Sequence, residues 1–295
     1  MAGINAVPVR SGLMNYRHAY HAGNFADVVK HVVLTRIIEY LKRKDAAFRL
    51  IDTHAGAGLY DLSSEEAKKT GEWHSGIGRL TGQNFPAEAA ALLRPYLDAV
   101  NMDQASGELA EYPGSPLIAR RLLRPQDRLF AIELHPDDAG KLKRLFAGDI
   151  QVRVLELDGW LALGAHLPPK EKRGLVLIDP PFEEPGELDR MVDRLVKAHR
   201  RWPGGVYALW YPIKDRPAVT GFRKGLGATG IPKILDISFE IRAPSLEPQL
   251  DGCGMAVVNP PYTLEQELKV LLPALAKILS DGQRARFDID RISGD

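Results

Sequence analysis

The sequence predicts an α/β fold, a mainly parallel sheet of seven strands with helices on both faces. Three observations predict it. Short apolar runs recur along the chain. Helical patterns fill most of the gaps between them. The last two runs lack a long helix between them, so they are expected to pair antiparallel.

The elements follow in chain order. Residues 1–13, MAGINAVPVRSGL, read as a loose extension, with Met14 as an alternative start. Residues 25–42, FADVVKHVVLTRIIEYLK, carry apolar residues at helical spacing and predict an early amphipathic helix. FRLIDTHAGAG (48–58) is an apolar run broken by small residues, a buried strand entering a glycine loop. Residues 61–114 are polar, Ala/Leu-rich and helical in pattern, and read as a helical subdomain inserted into a domain made of 14–60 and 115–295. RLFAIEL (128–134), VRVLELD (152–158), GLVLID (174–179), GVYALWYP (205–212), ILDISFEI (234–241) and GMAVVNPP (254–261) are the other six strands. ELDRMVDRLVKAHRRW (187–202) is the clearest helix between them.

With 295 residues, 45% hydrophobic and 26% charged, the chain can bury a substantial core. The formal charge of +1 announces no global attraction to a polyanion. The clusters KLKR (141–144), ARRLLR (119–124) and HRRW (199–202) each read, singly, as solvated helix faces. One cysteine, Cys253, rules out an internal disulfide and fits a reducing cytoplasm. No apolar run reaches membrane-spanning length, and the N-terminus lacks a secretory pattern.

A seven-stranded sheet ending in an antiparallel pair is the pattern of Rossmann-like S-adenosylmethionine-dependent methyltransferases. In such sheets ligands lie beyond the carboxyl ends of the strands. Gly56 and Gly58 in DTHAGAG permit a tight turn and close backbone approach to a ligand. The third glycine of the dinucleotide fingerprint is absent, since residue 61 is Asp. Glu133 after the second strand suits two ribose hydroxyls, and Asp158 after the third suits an adenine amino group. Either acid reads equally well as a helix cap. His31 reads as a packed, hydrogen-bonded imidazole, and RHAYH (17–21) with His31 lacks the spacing of a metal site. Ser115, followed by Pro116, suits an N-cap, and a helix N-terminus there attracts an anion such as the methionine carboxylate of the cofactor.

The tetrad Asp179-Pro180-Pro181-Phe182 ends the fourth strand, which is expected to lie beside the first. An exocyclic adenine nitrogen is a poor nucleophile because its lone pair is delocalised into the ring. Asp179, with the carbonyl of Pro180 held by the rigid diproline turn, can accept hydrogen bonds from that amino group. Phe182 offers a face for base stacking. Asn259-Pro260-Pro261-Tyr262 has the same shape but follows the seventh strand, and reads as a strand terminator. A thiolate route is disfavoured because Cys253 lies in that late strand.

YRHAYHAGNFADVVKH, DTHAGAG, YPGSPLIARRLLR, ELHP, DGW, RGLVLIDPPF, YALWYP, ATGIPKIL and GMAVVNPP, in this order from about Met14 to residue 275, resemble the RlmJ family of bacterial 23S ribosomal RNA adenine-N6 methyltransferases. The resemblance implies a Rossmann-like fold with an inserted helical subdomain. It implies S-adenosylmethionine as cofactor, held by His31, His54, Ser115, Glu133, Asp158 and Gly159, and Asp179 as the residue that accepts the proton. Tyr16 and His18 would cover the target adenosine. The substrate it implies is 23S ribosomal RNA, protein-free or partly assembled. The chain departs from the pattern at Phe182, where a family member has tyrosine, and in its additional N-terminal residues. The rival readings are methylation of DNA adenine or a protein glutamine, and a non-catalytic RNA-binding protein.

Overall fold

The computed structural model describes residues 17–101, 109–245, 249–282 and 285–294. The strands are β1 (Arg49–Asp52), β2 (Leu59–Asp61), β3 (Glu111–Pro113), β4 (Arg128–Glu133), β5 (Val152–Glu156), β6 (Gly174–Ile178), β7 (Val206–Ile213), β8 (Ile234–Glu240), β9 (Gly252–Val258) and β10 (Arg286–Ser293). The helices are α1 (Phe25–Lys42), α2 (Glu65–Thr70), α3 (Glu72–Ser75), α4 (Ala87–Ala99), α5 (Ser115–Leu122), α6 (Pro136–Leu145), α7 (Gly159–Ala165), α8 (Glu187–Arg201), α9 (Arg216–Ala228) and α10 (Leu264–Leu279).

Among the described residues, one eight-stranded sheet runs in the order β10-β8-β9-β7-β6-β1-β4-β5, and β2 pairs with β3 in a separate ribbon. From β7 to β5 the pairing is parallel; β9 is antiparallel to both β7 and β8, and β10 is antiparallel to β8. All seven strands expected from the sequence form. Two features exceed the expectation. The edge strand β10, RFDIDRIS, carries charges on four of its eight positions and so lacks an apolar run. The ribbon of β2 and β3 consists of two three-residue strands, which are too short to show a period.

Alternation along the central strands builds two cores. Leu50, Leu175 and Leu177 face the layer containing α1, α5, α6 and α10. Ile51, Val176 and Ile178 face α7, α8 and α9. The segment 61–114 contributes Ile77, Leu80, Leu93, Tyr96 and Leu97 to the first of these cores, with α4 lying against α1 and α10.

Helix α1 differs from the amphipathic helix that the spacing predicts. Fifteen of its 18 residues are buried, including Asp27, Lys30 and His31. The sheet covers one side, and α4, α5 and α10 cover the others. A helix enclosed on all sides that still carries charged residues must satisfy those charges internally.

Candidate active site

The carboxyl ends of β1, β4, β5 and β6 lie side by side. At the end of β6, Asp179 is 15% exposed and its Oδ2 accepts a hydrogen bond from Lys30 Nζ at 2.6 Å. Lys30 also contacts Asp27 Oδ1 at 2.8 Å. Asp27 Oδ2 accepts from the Gly23 amide and lies 2.9 Å from His18 Nε2. An ammonium thus stands between two carboxylates at the mouth of the site. Burial works against the charge on Asp27, but His18 and Lys30 outweigh it and hold that carboxyl well below the usual range. Burial likewise works against the Lys30 cation, and Asp179 and Asp27 outweigh it, keeping the ammonium protonated well above its ordinary range. Lys30 is therefore a fixed positive charge and not a base.

The tetrad departs sharply from β6. Phe182 adopts φ +54°, a left-handed conformation that bulky residues rarely take, and its ring meets Trp210 edge-on at 5.7 Å. Strain of this kind costs about 1–3 kcal/mol and is characteristic of functional segments. Lys30 Nζ lies 5.7 Å from the same Trp210 ring. Pro180 is buried and Pro181 is half-buried.

On the β1 side, the glycine turn is held by side chains. Glu133 Oε2 accepts from the Gly56 amide and Oε1 from the His135 amide, both at 2.7 Å. Burial raises the Glu133 carboxyl above its usual range against the pull of those amides. Tyr60 Oη accepts from the Ala57 amide, and a Cβ on Gly56 would lie 2.2 Å from that oxygen. The turn excludes a side chain at Gly56 as well as requiring its φ of +61°.

His54 follows β1. The Thr53 hydroxyl donates to the Leu177 carbonyl and lies 2.9 Å from His54 Nδ1. Its single proton being spent, Thr53 accepts there, so Nδ1 carries the hydrogen and Nε2 is the free acceptor. Burial pushes His54 down to about 3. Gly159 sits against this ring, where a Cβ would be 2.1 Å from the Thr53 carbonyl and 2.9 Å from His54 Nε2. Asp158 caps α7 by accepting from the Trp160 amide at 2.7 Å, the capping role the sequence allows.

Ser115 corrects one expectation. The N-cap of α5 is Gly114, Ser115 is the first helical residue, and its side chain makes no cap. Instead Ser115 Oγ donates to Asp52 Oδ2 at 2.6 Å. Burial pushes Asp52 up to about 7, with the Ser115 hydroxyl opposing. His31 is buried as expected, with Nδ1 2.7 Å from the Tyr112 hydroxyl. Its Nε2, however, is a buried nitrogen with no partner among the described residues, and burial pushes the ring down to about 3.

Asp27, Lys30 and Asp52 went unremarked in the sequence. An acid and a lysine three residues apart do not stand out in α1, because Arg36, Glu39 and Lys42 lie in the same helix. Of the residues expected at the site, Tyr16 lies outside the described residues. His18 is joined to the cluster through Asp27. The second tetrad is remote. Because β9 runs antiparallel to β7, with Val258 opposite Tyr207, Asn259 falls at the other end of the sheet. There its Nδ2 donates to the Pro203 and Gly205 carbonyls, both at 2.8 Å. Cys253 is buried in β9, and burial pushes its thiol up to about 12, which rules out a thiolate nucleophile there at neutral pH. Among the described residues no group of His, Cys, Asp or Glu is placed to hold a metal, and no helix is long and apolar enough to cross a membrane.

The sheet order, the glycine turn after β1 and the acids ending β4, β5 and β6 define a Rossmann-like methyltransferase of the S-adenosylmethionine-dependent class. Comparison with known proteins gives the family. The family model described as "Ribosomal RNA large subunit methyltransferase D, RlmJ" matches residues 45–289. "Ribosomal RNA large subunit methyltransferase J" of Escherichia coli (strain K12) is 46% identical over 264 residues, covering 89% of this chain and 93% of that protein. The protein of the same name from Haemophilus influenzae is 46% identical over 267 residues, covering 90% and 94%. The crystal structure of protein LPL1258 from Legionella pneumophila, 34% identical, superposes with a TM-score of 0.83 over 92% of this chain and 98% of that one. The chain belongs to the RlmJ family.

Proposed function

We propose that this protein transfers a methyl group from S-adenosylmethionine to the exocyclic N6 of an adenosine in 23S ribosomal RNA, acting on RNA that is protein-free or partly assembled. The names of the two relatives and of the family support the RNA, and the residues at the strand ends support the cofactor. Gly56 lets the turn after β1 close under Tyr60 and Gly159 lets α7 start against His54, His31 Nε2 is an orphaned buried nitrogen, and Glu133 and Asp158 retain acceptor lone pairs. These groups fit a nucleoside with an attached amino acid. The N-terminus of α5 at Ser115 would hold its carboxylate, while His54 Nε2, an acceptor, would take a hydrogen bond from its ammonium, with His31 beside them. Glu133 would take the ribose, and Asp158 the adenine amino group.

S-adenosylmethionine, when bound, supplies an electrophilic methyl group and leaves as S-adenosylhomocysteine. Asp179 performs the chemistry on the acceptor side. Lys30 occupies its Oδ2, while Oδ1 has no hydrogen-bond partner among the described residues. Oδ1 accepts from the target amino group, draws the nitrogen toward a pyramidal geometry and takes the proton displaced by methylation. A charge-assisted hydrogen bond of this kind contributes about 1.5–3 kcal/mol, and in-line positioning by Pro180, Pro181 and Phe182 contributes the larger share. His18 and Tyr16 would cover the adenosine. Extruding a paired base costs a few kcal/mol, so an unpaired or protein-free region of the RNA is the cheaper target.

The observation that carries this reading is the half-free carboxylate of Asp179 at a strand end beside β1. Purified protein incubated with naked ribosomal RNA, duplex DNA or a glutamine peptide tests it by mass spectrometry. N6-methyladenosine in 23S RNA alone is expected. Modification of DNA or peptide instead would replace the substrate. Asp179→Ala should retain S-adenosylmethionine binding and lose turnover; continued methylation by that variant would refute the assigned role.

A further inference from the structure

The end of the sheet opposite the active site has a composition unlike the rest of the chain. The segments leading into β1, β4, β5 and β6 (residues 43–49, 124–128, 149–153 and 168–173) hold nine of the 39 lysines and arginines but four of the 38 acids. The chain as a whole is nearly neutral at +1, so its positive charge is concentrated on this rim. Strand register brings the arginines together, with Arg49 opposite Arg128 and Arg153 opposite Phe130. Arg49, Arg128 and Arg153 line one cavity of about 270 Å³ together with Phe130 and Ile150.

Not all of these charges are offset. Arg49 is held by a bidentate pair with Glu171 at 2.8 and 2.7 Å. Arg153 is exposed, has no carboxylate partner among the described residues and lies 5.8 Å from the Phe130 ring. Arg128 donates to the Pro125 and Asp127 carbonyls and makes no salt bridge among the described residues, although its charge helps to hold the Glu171 carboxyl low. Lys170 and Lys172 stand exposed in the loop before β6. Ile150, which lines the cavity, is 89% exposed, the largest exposure among the described bulky apolar residues.

We infer that this amino-terminal rim is a second RNA-docking surface that binds the phosphodiester backbone of the substrate at a distance from the methylated base. The inference rests on the ribosomal RNA reading above. Arginine forks match phosphate oxygens. Neighbouring strands lie about 4.8 Å apart, so the row from β5 to β6 extends about 14 Å, the scale of several successive phosphates. A strand of five residues spans only about 17 Å. A long RNA whose target base lies at Asp179 therefore needs a short path to the rim. The edge of the sheet at β5 provides that path, because among the described residues β5 has no partner strand on its outer side.

The test is salt-dependent binding of naked 23S ribosomal RNA to the intact protein and to the variant Arg153→Glu/Lys170→Glu/Lys172→Glu, with methyl-transfer kinetics on the same RNA. Each lost phosphate contact lowers the log–log salt slope by roughly 0.7–0.9, so a fall of about two is expected. KM for the RNA should rise tenfold or more, while kcat and S-adenosylmethionine affinity stay unchanged. The milder Arg153→Gln/Lys170→Gln variant should shift in the same direction, and guards against misfolding of the reversed one. Equal slopes and equal KM values in folded variants would overturn the inference. An intact protein that methylates no RNA would remove the ribosomal RNA reading instead. The binding slope still decides the docking surface in that case, because it needs no turnover.

Discussion

At the residue scale, Lys30 organises the site. It joins Asp27 and Asp179, and all three are largely withdrawn from water, with side-chain exposures of 5%, 2% and 15%. Removing one member of a buried ionic group leaves uncompensated charge, which costs about 3–5 kcal/mol. Lys30→Met is therefore expected to lower stability by that order in denaturant titration, and to lose turnover because Asp179 loses its anchor. An unchanged unfolding midpoint would contradict this account. Phe182 is the second test. Loss of base stacking is worth about 1–3 kcal/mol, so Phe182→Leu should raise KM for RNA roughly five- to hundredfold, while Phe182→Tyr leaves it near the parent value. Asp179 and Phe182 were legible in the sequence because the tetrad has a recognisable shape at a strand end. Lys30 was not, because its partner is 149 residues away.

At the level of elements, the junction between β1 and α7 decides whether the cofactor side can form. Gly159 opens α7 directly against the Thr53 carbonyl and the His54 ring. Gly159→Ala has no room, and its nearest obstacle is backbone, which cannot rotate away. The variant should displace the start of α7 with Asp158, and weaken S-adenosylmethionine binding at least tenfold by calorimetry; unchanged affinity would mean that the helix start is not part of the site. The central strands were readable because burial on both faces makes them continuous apolar runs. The edge strand β10 and the ribbon of β2 and β3 lacked that signature. Helix α1 was located by its period, but its complete burial was not, since the covering helices come from distant segments.

For the whole molecule, buried imidazoles make stability depend on pH. His31 and His54 fall from 6.5 unfolded to about 3 folded. Their contribution is present above 6.5 and is lost as pH falls toward 3. The depressed Asp27 has the same sign, its contribution being lost in acid below 3.8. Asp52, raised from 3.8 to about 7, has the opposite sign: its contribution is present below 3.8 and lost as pH rises through 7. Two histidines outweigh one carboxyl in the shared window. Urea midpoints should therefore fall between pH 7.5 and 5, and His54→Asn should flatten the slope; a midpoint constant over that range would contradict the burial of neutral imidazoles.

By itself the sequence determined the layered α/β fold, the seven main strands and the position of the tetrad at a strand end, because apolar period and turn chemistry are local properties of the chain. The sequence also told the two proline tetrads apart, and the tertiary structure supplied the reason, an antiparallel last hairpin that carries Asn259 to the far end of the sheet. Tertiary structure alone decided that Ser115 bonds Asp52 and that one ammonium joins two carboxylates. Those are contacts between segments distant in the chain, and only the pairing of strands and the closing of helices over them brings such charges within reach of one another.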